Sequence, residues 1–252
     1  APTFSEYEGA LEQVGCAVTR HLLRRERNFD VDEGILEAIG PDTELVFLCT
    51  PNNPTGRLIS RDLLLRAAEK CRDLGAVLAV DECFLPLSCG GPGLAPWLVE
   101  YPNLLLLRAF TKSYAMAGLR LGYALCADTA LLERMSAGGP PWSVSTPAQA
   151  AGLAALTQCP HWPEKARAFL EGERPALAAG LSALGLDVVP VQANYLLFRA
   201  AGVTDLKESM LTQGVLIRSC ANYHGLGEDW YRVCVGQAEQ NRRLLAALRE
   251  VL

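Results

Sequence analysis

Residues 108–123 read RAFTKSYAMAGLRLGY, and the placement of Lys112 within them organises the chain. The run just before, residues 104–107, is continuously apolar and of strand length, as a buried parallel strand requires. Lys112 follows that strand, and Arg120 comes eight positions later. Only four lysines occur; Lys70, Lys165 and Lys207 lie in charge-rich helical segments, whereas Lys112 stands among Phe110, Tyr114, Ala115 and Met116. An amine enclosed by such neighbours loses hydration and its pKa falls, so its neutral form becomes a nucleophile toward a carbonyl. The plainer alternative is a lysine that snorkels from a strand end or pairs with an acid.

Working outward, residues 45–49 (LVFLC) form an apolar strand that runs into TPNNPTG at 50–56. Ser60 then caps a helix whose Leu63, Leu64, Ala67, Ala68 and Cys71 share a face, and Gly75 closes it. The next strand, 76–80, leads into VDEC at 80–83. Strand, helix, strand, with both strands apolar throughout, predicts an α/β fold built on a mostly parallel sheet with helices on both faces. Residues 121–126 extend that sheet; upstream, 14–20 reads as a strand and 30–39 as a short acidic helix. After the loop GGPPWSVSTP (138–147) come helices at 148–157 and 164–184. Short strands at 195–198, 215–218 and 232–235 then alternate with helices at 204–213 and 238–251. The expected organisation is a large domain over 1–159 and a small C-terminal α/β domain over 160–252.

A chain of 252 residues, half of them apolar, buries one sizeable core or a large domain plus a small one. A net charge of −5 leaves no basic footprint for nucleic acid or an anionic membrane. No apolar run reaches transmembrane length and the first residues lack signal-peptide character, so a cytoplasmic protein is expected. Nine cysteines without C-x-x-C spacing read as reduced thiols, and three scattered histidines suggest no metal centre.

TPNNPTG, VDEC and RAFTKSYAMAGLRLGY, in this order and spacing, resemble the class I/II aminotransferases, pyridoxal-phosphate enzymes of fold type I. The resemblance covers essentially the whole chain. It implies that Lys112 forms a Schiff base with pyridoxal 5'-phosphate, that Asp81 faces the ring nitrogen, and that Asn53 donates to the ring 3'-oxygen. It further implies that Arg120 and Thr111 bind the phosphate, that Phe4 stacks on the ring, and that Arg218 and Arg232 clamp a substrate carboxylate or another anionic group of the substrate. From the residues alone, Asp81 is also a helix cap, NPTG a plain turn, Phe4 a core residue and each arginine half of a surface ion pair.

Two departures sharpen the expectation. Many aminotransferases carry Tyr three residues after the Asp, where this chain has Phe84. That change, together with IRSCANYHGLGEDWYRV at 217–233, looks most like the threonine-phosphate decarboxylases of cobalamin synthesis, cousins of the histidinol-phosphate aminotransferases. The resemblance therefore implies a small phosphorylated amino acid as substrate and leans to decarboxylation, with transamination as the alternative and an inactive fragment or binding module as the other class. The chain starts at Ala1 without Met, and relatives of this kind carry roughly a hundred more residues before this point. A fragment is expected, lacking the glycine loop and helix start that cradle the cofactor phosphate. The complete protein is expected to be a homodimer, with the active site at the subunit boundary.

Overall fold

The computed structural model describes residues 1–91 and 93–252. The chain divides into two compact units, one formed by Ala1–Asp30, Pro51–Leu58 and Ala168–Leu252, the other by Val31–Thr50 and Ile59–Arg167.

The first unit begins with helix α1 (Glu6–Gln13). The second carries helix α2 (Gly34–Ala38), strand β1 (Leu45–Cys49), helix α3 (Arg61–Asp73), strands β2 (Val77–Asp81) and β3 (Leu104–Ala109), the single turn α4 (Phe110–Ser113), strand β4 (Gly122–Leu125), and helices α5 (Thr129–Gly138) and α6 (Thr146–Gln158). Its sheet runs β1-β2-β3-β4. β1, β2 and β3 are parallel, with Cys49 opposite Asp81 and Asp81 opposite Leu107, while β4 runs antiparallel to β3. The crossover α3 forms where expected: the Ser60 hydroxyl accepts the Leu63 N–H at 3.3 Å, and Leu63, Leu64, Ala67, Ala68 and Cys71 are all buried. Such a cap contributes about 1 kcal/mol. That face packs with Leu78, Val80, Leu104 and Leu106 of the sheet in one core.

Helix α7 (Trp162–Ala183) follows, belonging to the first unit from Ala168 onward. The first unit then holds a second sheet of strands β5 (Asp187–Val188), β6 (Tyr195–Arg199), β7 (Arg218–Ser219) and β8 (Trp230–Cys234), in the order β5-β6-β8-β7 and antiparallel throughout. Helices α8 (Leu206–Thr212) and α9 (Ala238–Val251) complete it.

Several sequence expectations change. Residues 14–20 form no strand: Val14 is 76 % exposed, and without a partner to complete the ladder an apolar alternation has nothing to pair with. The strand expected at 215–218 shrinks to Arg218–Ser219, because Leu216 points to solvent and the segment joins β8 only at its end. Helices α1 and α5 arise where no helix was expected, the latter started by Asp128, whose side chain accepts the Leu131 N–H. Among the described residues, no helix is long and apolar enough to cross a membrane.

Candidate functional site

In the second unit, Asp81 ends β2 and the chain turns at once. The Cys83 N–H donates to Asp81 Oδ1 at 2.8 Å, so the carboxylate does serve as a local turn cap, while keeping further acceptor capacity. Burial, and then the Asp81 carboxylate to which it is hydrogen-bonded, push the Cys83 thiol well above its usual range; Lys112 acts in the opposite direction. The ammonium is thus within electrostatic reach of the Asp81–Cys83 turn. Its Nζ also lies 5.5 Å from the centre of the Phe84 ring, a cation–π arrangement. Phe84 lacks the hydroxyl of the tyrosine that many aminotransferases carry at this place, yet its ring faces the amine.

Lys112 owes its direction to α4. Phe110 and Ser113 are the buried positions of this turn, with Phe110 stacked on Tyr114 at 5.3 Å and the Ser113 hydroxyl donating to the Ala109 carbonyl at 3.1 Å. Thr111 and Lys112 therefore face outward. Lys112 is exposed, which corrects the expected enclosure: Phe110 takes the apolar contacts that the sequence suggested for the amine. Arg120 occupies the left-handed region (φ 55°, ψ 49°), and its Nη1 donates to the Ala117 carbonyl at 3.1 Å. The rest of this exposed guanidinium is open to an anion.

The first unit gathers four other predicted residues. Asn52 is the hub of the loop: its Oδ1 accepts from the Thr3 hydroxyl at 2.7 Å, and its Nδ2 donates to the Pro2 carbonyl and to Thr55 Oγ1, each at 2.9 Å. Because Thr3 and Asn52 immediately precede Phe4 and Asn53, that bond carries both predicted ring contacts into one neighbourhood. Gly56 turns the loop at φ +67°, where a Cβ would come within 2.6 Å of Val191 Cβ. Asn53 is buried, and its Oδ1 accepts from Arg232 Nη1 and, at 3.3 Å, from the Tyr223 hydroxyl. An oxygen already accepting from two donors makes Nδ2 the chemically available end of this amide.

Arg232 on β8 lies directly opposite Arg218 on β7, so both side chains leave the same face of the sheet. Two cations placed side by side repel unless an anion or an acceptor sits between them. Arg232 is half-buried, with its guanidinium 4.9 Å from the Tyr195 ring centre, and Arg218 is exposed and donates to Asn222 Oδ1 at 3.1 Å. Tyr195, Tyr223 and Asn52 were not singled out from the sequence. Tyr223 lay within the run at 217–233, but nothing in its spacing tied it to Asn53.

The donor set suits pyridoxal phosphate: a carboxylate that ends β2, an amine in the turn after the neighbouring β3, a guanidinium with spare donors for a phosphate, and an amide whose oxygen is already engaged. A family model described as aminotransferase class I and II matches residues 1–248. The chain belongs to that family of pyridoxal-phosphate-dependent enzymes. Among curated relatives, the threonine-phosphate decarboxylase of Salmonella typhimurium is 45% identical over 253 residues, covering 100% of this chain and 69% of that protein. The histidinol-phosphate aminotransferase of Methanosarcina mazei is 35% identical, covering 98% of this chain and 64% of that protein. The chain thus spans about two thirds of the length of these relatives. Among solved structures, the histidinol-phosphate aminotransferase of Clostridium acetobutylicum superposes with a TM-score of 0.92 at 26% identity, over 99% of this chain and 75% of that one. The L-threonine-O-3-phosphate decarboxylase of Porphyromonas gingivalis gives 0.86 at 26% identity, over 99% and 74%. The fold is accordingly that of the fold type I enzymes.

Proposed function

We propose that the protein acts on a small phosphorylated amino acid and removes carbon dioxide from threonine phosphate. The observation that supports the reading is that Asp81 ends β2 and Lys112 lies in the turn that follows the neighbouring strand β3, in a chain that over its whole length is 45% identical to a threonine-phosphate decarboxylase. When bound, pyridoxal phosphate supplies a carbonyl carbon for amines and an electron-poor ring that stabilises negative charge beside them. In this reading Lys112 Nζ would be the amine that holds the cofactor and that moves a proton for the substrate. Asp81 would favour the protonated form of the ring, as a carboxylate beside it does. Asn53 would donate to the ring oxygen, Arg120 and Thr111 would hold the phosphate, and Phe4 would cover the ring. Arg218 and Arg232 fix the substrate carboxylate in a bidentate grip that a lysine does not reproduce.

The outcome depends on how Arg218 and Arg232 would orient the substrate: a grip that favours loss of the carboxylate would give carbon dioxide, and one that favours loss of the hydrogen would give transamination. The second reading has support from the histidinol-phosphate aminotransferase likeness. Incubation with threonine phosphate, with and without 2-oxoglutarate, separates the two. Carbon dioxide and the amino-alcohol phosphate without a keto acid are expected, and turnover only in its presence defeats the decarboxylase. A protein that stays colourless with added cofactor and turns over neither way is a binding module or an inactive piece. The proposal extends to a cytoplasmic homodimer: all nine cysteines are free thiols, which suits a reducing compartment, and sizing chromatography tests the dimer.

A further inference from the structure

Next to Asp81 and upstream of Lys112 lies an ion pair between a buried carboxylate and a half-buried arginine, to which the function above assigns nothing. Glu82 is 0% exposed. Its Oε2 accepts from Arg108 Nε at 2.8 Å and from Nη2 at 2.6 Å, and its Oε1 accepts the Leu94 N–H at 2.8 Å. Gly93 closes on the same carboxylate at φ +73°, where a Cβ would lie 2.5 Å from Oε1 and 2.7 Å from Oε2. No side chain other than hydrogen fits there.

A carboxylate removed from water in this way is costly, and an apolar pair of equal volume would serve stability as well or better. What the charged pair adds is direction. Glu82 is the residue after Asp81, and Arg108 lies on β3 four positions before Lys112. The Glu82 N–H is already bonded to the Leu107 carbonyl at 2.9 Å, so backbone and side chain both tie the end of β2 to the end of β3. The fork of a guanidinium tolerates little rotation, unlike an apolar contact.

We propose that Glu82 and Arg108 are positioning residues that set the separation between the Asp81 carboxylate and the Lys112 amine, with Gly93 and the Leu94 N–H holding Glu82 in place. The inference rests on the reading of Asp81 and Lys112 as cofactor ligands. It requires the pair to matter for cofactor binding beyond its effect on stability.

Three variants separate those effects: Glu82→Gln, Arg108→Lys, and the neutral double variant Glu82→Gln/Arg108→Met. For each, thermal stability, the Kd for pyridoxal phosphate and the visible absorbance of the loaded protein are measured. Both single variants are expected to lower the melting temperature and weaken cofactor binding by about tenfold, as loss of charge-assisted bonds implies. The double variant, with no buried charge left unpaired, regains the melting temperature but still binds about tenfold more weakly. Recovery of binding together with stability overturns the proposal, because the pair would then be structural only. Arg108→Lys keeps the charge balance and loses only the fork, so it carries the test if Glu82→Gln does not fold: unchanged binding of pyridoxal phosphate at a lowered melting temperature overturns the proposal. A wild-type protein that takes up no pyridoxal phosphate removes the reading of Asp81 and Lys112 instead, and the positioning role with it; that result is read before any variant is made.

Discussion

Asp81 ends strand β2 and Lys112 sits in the turn that follows its neighbour β3, whereas Asn53 and Arg232 meet across 179 residues of chain in the other unit. The two places are built on opposite plans. In the second unit Asp81 and Lys112 are half-exposed and exposed, and beneath them lie the buried strands, Phe110 and the Glu82–Arg108 pair. In the first unit the amide itself is buried, and side chains from three separate segments hold it through Arg232, Tyr223 and the Asn52 hub. Under the proposed function, the group that would react stands exposed on a packed base, and the group that would only point is itself buried and hydrogen-bonded.

If that contrast holds, the largest effect belongs to Lys112. Lys112→Ala should abolish the visible absorbance of the cofactor-loaded protein altogether, because Lys70, the lysine nearest to Asp81 in sequence, is held by the Leu36 carbonyl. The folded state should be untouched, since the side chain is exposed. A melting temperature that falls along with the colour would show Lys112 to be part of the scaffold. Gly56→Ala probes the locked region: a Cβ there clashes with Val191 and is strained at positive φ, and denaturant unfolding should show a loss of about 2–3 kcal/mol.

Alkaline titration compares the two interiors next. Burial raises the Cys71 thiol of the second unit and the Cys220 thiol of the first from 9.0 to about 11. Each folded thiol holds its proton more tightly than the unfolded chain does. The stability it contributes is intact below pH 9 and is lost as the pH rises through about 11, by about 2 kcal/mol per thiol. Denaturant midpoints near pH 8 and about pH 10.5 should differ accordingly, and Cys220→Ala should reduce the difference by its own share only. The smallest effect is expected for Tyr223→Phe, which removes one of the two donors on Asn53 Oδ1. Pyridoxal-phosphate affinity should fall about threefold to fivefold in a fluorescence titration, consistent with one neutral hydrogen bond. An effect as large as that of Arg232→Ala would mean that the tyrosine, not the arginine, orients the amide.

Legibility followed the same division. β1, β2 and α3 were readable because each is a continuous run whose apolar period matches its own burial, and Asp81 and Lys112 were readable as polar residues placed where such runs stop. The exposure of Lys112 was not, because it depends on which residues of a four-residue turn find the core, and Phe110 outcompeted the lysine for those contacts. The strand expected at 14–20 failed for the complementary reason: alternation describes one chain, and a ladder needs two. Tyr223, Tyr195 and Asn52 carried no local signal, since each acts through a partner remote in the chain.

From the amino-acid order alone came the parallel α/β layout, the motifs at 50–56, 80–83 and 108–123, and the kind of chemistry their side chains suit. These are properties of short stretches, set by periodicity, by strand ends and by residue type. Tertiary structure alone decided that residues 51–58 fold with 168–252, that Arg218 and Arg232 stand opposite each other, and that Arg108 makes two hydrogen bonds to the buried Glu82 carboxylate. Those features exist only when distant segments pack, because hydrogen-bond geometry and burial are fixed by neighbours in space, whatever their separation along the chain.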